Sequence, residues 1–301
     1  MPRITSVIDS LLILICLIAL ISGLAYRFYS LNNMAVAISL ILAIIFFSAI
    51  QYYYLILSKK TRPPRPEKPD KTKFNLINFL LLTSYFLLLF LCFYVLFSHR
   101  TVSAIISPWQ AVPPYFFALY GLATFVLIGN LVINKKISLL LITLHYFLSF
   151  SAALIICRLG YGYDPFIHQA TEKLINQTGS VEPKQFYYLG QYGLIVSLHK
   201  ITSLPLVWLD RALVPALAAL FLPVALWRVL KSWFSDERLN LMLIVALLGL
   251  TFPFLIVTTP QNLAYLFLII IILLGLICKN FYDFLVILLL SLTAAITQPS
   301  A

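Results

Sequence analysis

Apolar residues in this chain come in long unbroken runs rather than at helical or strand spacing. A helix needs roughly 20 apolar residues to cross the hydrocarbon core of a bilayer. Nine runs approach that length, at about 6–26, 34–57, 75–97, 114–133, 137–157, 205–229, 240–258, 262–278 and 283–297. One stretch, 158–204, breaks the pattern and predicts two shorter helices. In the first, Asp164 suits an N-cap, Pro165 the first helical position and Gly179 the C-terminal stop, so a helix is expected from Asp164 to about Thr178. Phe166, Ile167, Ala170, Leu174 and Ile175 form its apolar face, while His168, Gln169, Glu172, Lys173 and Gln177 lie elsewhere. Such a helix is too short and polar to span, and is expected to lie in the membrane interface. The second, about 185–201, carries Tyr187, Tyr188, Tyr192, His199 and Lys200, and tyrosines favour the headgroup level. The expected fold is therefore all-α: a polytopic transmembrane bundle of about nine helices with a two-helix interfacial loop.

Composition agrees. The chain is 62% hydrophobic and 10% charged, with mean hydropathy +0.99, outside the range of soluble domains. The net charge of +11 is no nucleic-acid signal, because the basic residues sit in short connectors between apolar runs. With the N-terminus in the cytoplasm, fourteen Lys and Arg fall on inside connectors and seven outside, four of the seven in the central loop. The positive-inside rule thus puts the 158–204 loop outside the cytoplasm. The Pro-rich, basic stretch 58–74 reads as a cytoplasmic linker, either a solvated topology anchor or a contact for anionic headgroups. It lies within an N-terminal four-helix region, 1–136, and a second region, 137–301, carries the loop. Residues 1–21 are too long for a signal-peptide core and lack a convincing cleavage site, so an uncleaved first helix is expected. Cys16, Cys92, Cys157 and Cys278 show no metal-like spacing. The last apolar run ends close to Thr297–Ala301, and further helices are expected to follow.

The chemistry sits in the loop. Asp164, His168 and Glu172 fall one helical turn apart on one side of the first loop helix. Asp164 reads either as a helix cap or, with the imidazole near it, as a general base or a ligand for a divalent cation such as Mg or Mn. The spacing matches no sharp metal motif, so no ligand set is assigned. Asn176-Gln-Thr178 has the form of a glycosylation sequon.

The order of these features resembles a known family. A transmembrane helix runs into Gly162-Tyr-Asp-Pro-Phe-Ile-His168; an interfacial helix ends in glycine; then come Tyr187-Tyr-Leu-Gly-Gln191-Tyr and a helix beginning Leu209-Asp-Arg211. This looks like the first extracytoplasmic loop of the polytopic type C glycosyltransferases, which include oligosaccharyltransferase catalytic subunits and protein mannosyltransferases. The likeness covers about 140–301, including Thr259-Pro-Gln-Asn262 and Thr297-Gln-Pro299. It implies a polyprenyl-phosphate-linked sugar donor, an extracytoplasmic acceptor and Asp164 as the catalytic acidic residue, deprotonating the acceptor as it attacks the sugar C1. Arg211 would then meet the donor phosphate; alternatively it pairs with Asp210 or snorkels. Lys184 and His199, with Tyr188 and Gln191, are candidates for phosphate, sugar or acceptor contacts, or are structural. The sequence departs from the pattern in two places: Pro165 follows Asp164, so there is no Asp-x-Asp, and Gln298-Pro299 stands where relatives often have His-Pro. Two other classes remain open, a transporter or lipid flippase and a non-catalytic scaffold. A transporter should carry polar or broken helices at mid-depth, whereas here the spans are nearly free of charge.

Overall fold

The computed structural model describes residues 2–60, 76–133, 137–184, 186–248 and 253–298. Most of the 58–74 linker, Lys135, Lys136, Gln185 and Pro299 lie outside them. The described chain is helical, its one β feature an isolated bridge between Thr101 and Cys157. Among the described residues twelve α-helices follow one another: α1 Pro2–Phe28, α2 Asn33–Lys60, α3 Leu76–Ser98, α4 Tyr115–Ile133, α5 Ser138–Phe150, α6 Ala152–Ile156, α7 Asp164–Thr178, α8 Leu189–Thr202, α9 Leu206–Trp233, α10 Glu237–Leu247, α11 Pro260–Gly275 and α12 Phe281–Thr297. Five of them (α1, α2, α3, α4 and α9) are long and apolar enough to cross a membrane, and α5, α11 and α12 are shorter apolar helices. This fits a multi-pass membrane protein.

Helix starts follow local chemistry. Asn32 Oδ1 accepts from the Ala35 N–H at the head of α2, Asp236 from Arg238 and Leu239 at α10, Thr259 from Asn262 at α11, and Asn280 from Asp283 at α12. Each satisfies an N–H that has no partner within its helix.

Two of the expected helices are broken. The 137–157 run divides at Ser151 into α5 and α6. Carbonyls at the end of α6 bond outside the helix: Thr101 N donates to Ile156 O at 2.8 Å and Arg100 Nε to Ile155 O at 3.0 Å. The run expected over 240–258 ends at Leu247, and a 3-10 turn occupies Pro253–Ile256. Proline supplies no N–H and disfavours helix in the residue before it.

α9 is the central post. It packs on α5, α11, α10, α8, α7 and α1 and is buried along most of its length. α1 lies mainly along α8 and also touches α2, α12 and α9, while α3 pairs with α4. The second loop helix is therefore not a surface element. Residues Leu189–Ser197 of α8 are buried, which corrects the expectation of two interfacial helices. Glycine makes this burial feasible: a Cβ on Gly193 would stand 2.5 Å from the Gly23 nitrogen of α1. Ser22 and Ser197 hydrogen-bond across the same seam at 2.9 Å. Small residues that let backbones approach are how helices pack where lipid is the alternative neighbour.

Candidate functional site

α7 has the bounds the sequence predicts, closed by Gly179 at φ +83°. Its faces are partly exchanged: Gln169 and Glu172 turn inward, Lys173 and Gln177 stay outside, and of the apolar face Ile175 is the buried member. Pro165, Gln169, Glu172 and Ile175 are buried, while Phe166, Ile167 and Leu174 of the apolar face are 44–50% exposed. Where the outer neighbour is hydrocarbon, apolar side chains gain nothing by turning inward, while polar ones find partners in the bundle. The cap position belongs to Tyr163, not Asp164. Asp164 opens the first turn, exposed and without a side-chain cap bond, where its charge complements the helix dipole.

Four residues on, His168 Nδ1 bonds the Tyr192 hydroxyl at 2.8 Å, and its ring stands edge-on to Tyr188 with centroids 5.0 Å apart. Burial pushes the His168 pKa down, partly offset by the Asp164 carboxylate. Tyr188 starts α8 in left-handed backbone, φ +67°, fixed by its N–H donating to Thr297 O at 3.0 Å.

Beneath His168 lies a buried acid pair. Gln191 Nε2 donates to Glu172 Oε1 and to Asp210 Oδ1, each at 3.1 Å, joining α7, α8 and α9. Gln169 stands beside Asp210 without closing a hydrogen bond. Glu172 Oε2, Asp210 Oδ2, Gln191 Oε1 and Gln169 Nε2 are all buried without a protein partner. Burial, and after it the neighbouring Asp210, raises the Glu172 pKa well above the carboxylate range. A proton on Glu172, shared with Asp210, satisfies two of these atoms at once and avoids two adjacent buried charges.

Gln169 also lines a small cavity with Tyr161, Pro165, Arg211 and Thr258. Its space for water centres is about 20 Å³, room for one water. Arg211, on α9, donates from Nη1 to Arg158 O at 3.0 Å and from Nη2 to Leu154 O at 3.1 Å and to Cys157 O. It thereby satisfies carbonyls at the end of α6, and it lies 5.3 Å over the Trp208 ring. The alternative expectation for Arg211, an ion pair with Asp210, is not met: among the described residues the ion pairs are Lys184–Glu182 and Arg228–Asp9.

The structure thus brings His168, Glu172, Tyr188 and Gln191 together, sets Asp164 at their rim, and places Arg211 across the cavity from Gln169. Lys184 is elsewhere, bonded to the Tyr29 carbonyl and 3.8 Å from Glu182. His199 Nδ1 donates to Leu204 O at 2.7 Å, at the far end of α8. Gln169 and Asp210 were missed as members of the site. Asp210 had a signal, a carboxylate inside an apolar run. Among the described residues no group of three or more His, Cys, Asp and Glu is placed to hold a metal ion. No family model, curated protein or solved structure matches the chain.

Proposed function

We propose that this protein is an integral membrane glycosyltransferase that moves a sugar from a polyprenyl-phosphate-linked donor to an extracytoplasmic acceptor, with Asp164 as the base. One observation carries the reading: of Asp164, His168 and Glu172, the three groups of α7 able to act as a base, Asp164 alone is exposed, and it directly precedes Pro165, which lines the cavity. His168 is engaged by Tyr192 and Glu172 is sealed in the acid pair.

In this reaction an Asp164 oxygen takes the proton of the acceptor hydroxyl as that oxygen attacks the sugar C1. The C1–O bond to the lipid phosphate breaks and the phosphate leaves with the electron pair. Arg211 Nε–H takes no part in the bonds to Leu154, Cys157 and Arg158, and is the group this reading assigns to the phosphate. A positioned base contributes about 10²–10⁴-fold. Asp164→Asn should therefore lower sugar transfer by about 10²-fold or more while costing no more stability than the helix-dipole contribution of about 0.3–1 kcal/mol, since the side chain makes no cap bond. Transfer at the wild-type rate in the folded variant would sink the assignment.

The buried Glu172–Asp210 pair favours a second reading, a proton-coupled transporter, because paired intramembrane acids commonly mark proton paths. Proteoliposomes separate the two. An enzyme releases sugar from its lipid donor without a pH gradient, while a transporter moves protons with a solute and releases none.

A further inference from the structure

At the opposite end of α7 from Asp164, a broad groove opens between the start of α2 and the ends of α7 and α8. It offers about 660 Å³ of accessible space. One wall is Val36, Ala37 and Leu40, which share a face of α2 as that helix runs into its membrane span. The rim is polar. Lys200 at the end of α8 donates from Nζ to Asn33 Oδ1 at 2.9 Å, which holds the ammonium at the first residue of α2. That residue is the positive pole of a 28-residue helix. An ammonium has three donors, so two remain after the Asn33 bond. Among the described residues no aspartate or glutamate lines the groove, and the ion pairs do not include Lys200.

We infer that this groove binds an anionic glycerophospholipid, with an acyl chain along Val36, Ala37 and Leu40 and its phosphate at Lys200 and the α2 N-terminus. The apolar wall belongs to a spanning helix, so a chain lying on it continues into the bilayer, which a soluble phosphate cannot do. The cation and the helix pole act together on an anion at the same height. Partial burial lowers the Lys200 pKa, and a phosphate beside it favours the ammonium form. Asn176, at the groove, is twelve residues from Asp164, about 18 Å along α7. This lipid is therefore separate from the sugar chemistry proposed above and stands whether or not that holds.

The test is native mass spectrometry of the whole chain in mild detergent, with phosphatidylglycerol or phosphatidylcholine of matched chains. Wild type should retain phosphatidylglycerol preferentially. Lys200→Gln should reduce that preference about fivefold, and Lys200→Arg should keep it, which controls for folding. Leu40→Trp, filling the wall, should reduce retention of both lipids. Glycerol phosphate, which has the headgroup charge and no chains, should fail to compete. Equal retention of the two lipids, or an unchanged preference in Lys200→Gln, would overturn the site. Effective competition by glycerol phosphate would make it a site for soluble phosphate and overturn the lipid.

Discussion

At the scale of single residues, Glu172 decides how the site responds to pH. Its folded pKa is raised, chiefly by burial and then by Asp210. Between the ordinary carboxylate value and that raised value, the folded chain holds a proton that the unfolded chain has lost. The stability this contributes is fully present below the ordinary value and is lost as pH rises through the window. The melting temperature should therefore fall in wild type as pH rises above the ordinary carboxylate range, and Glu172→Gln should flatten that fall. An unchanged slope in the variant would mean that Glu172 ionises as freely inside as outside. His168 has the opposite sign. Its lowered pKa removes stability as pH falls through the ordinary imidazole range, so the acid limb should survive in Glu172→Gln. The sequence made His168 and Glu172 legible as one-turn neighbours of Asp164. It could not show that Gln191 and Asp210 close on Glu172, because those contacts span 19 positions each and depend on how three helices meet.

At the scale of elements, the seam between α1 and α8 is set by glycine. A Cβ on Gly193 would stand 2.5 Å from Gly23 N and 2.8 Å from Ser22 C. Those atoms are backbone and cannot rotate aside. Gly193→Ala should cost about 1–3 kcal/mol of stability, read as a lower melting temperature. Gly121→Ala is the control. Nothing lies within 4 Å of its added methyl, and helix propensity favours alanine by about 1 kcal/mol. Equal effects of the two changes would mean that the close crossing is not what holds α8. The ends of α7 were legible, because Pro165 and Gly179 act locally. Its inward face was not. Apolar periodicity marks the core face only where water is the alternative, and Phe166, Ile167 and Leu174 face outward here.

At the scale of the molecule, five of the nine expected runs (α1 to α4 and α9) are helices long enough to span, while the other four give shorter helices among the described residues. The five were legible from run length alone, since hydrocarbon demands satisfied backbone over a fixed distance. The breaks at Ser151 and after Leu247 were less so, because the first depends on partners from residues 100 and 101. Sidedness rests on the Lys and Arg distribution. In intact cells, with Cys278→Ser as background, a cysteine at Ser180 should react with an impermeant thiol reagent and one at Pro66 should not. The reverse pattern would invert the topology and put the acid pair on the cytoplasmic side.

The seam along α1 gives the first segment of the chain a second duty. Ser22 and Gly23 are translated long before Gly193 and Ser197, and they form the floor on which the loop later settles. Exchanging 2–28 for an unrelated hydrophobic anchor would keep the chain in the bilayer yet leave α8 with nothing to lie against, and Gln191 with no fixed height from which to reach Glu172 and Asp210. In this protein a helix long and apolar enough to span a membrane is also the surface against which the site is set.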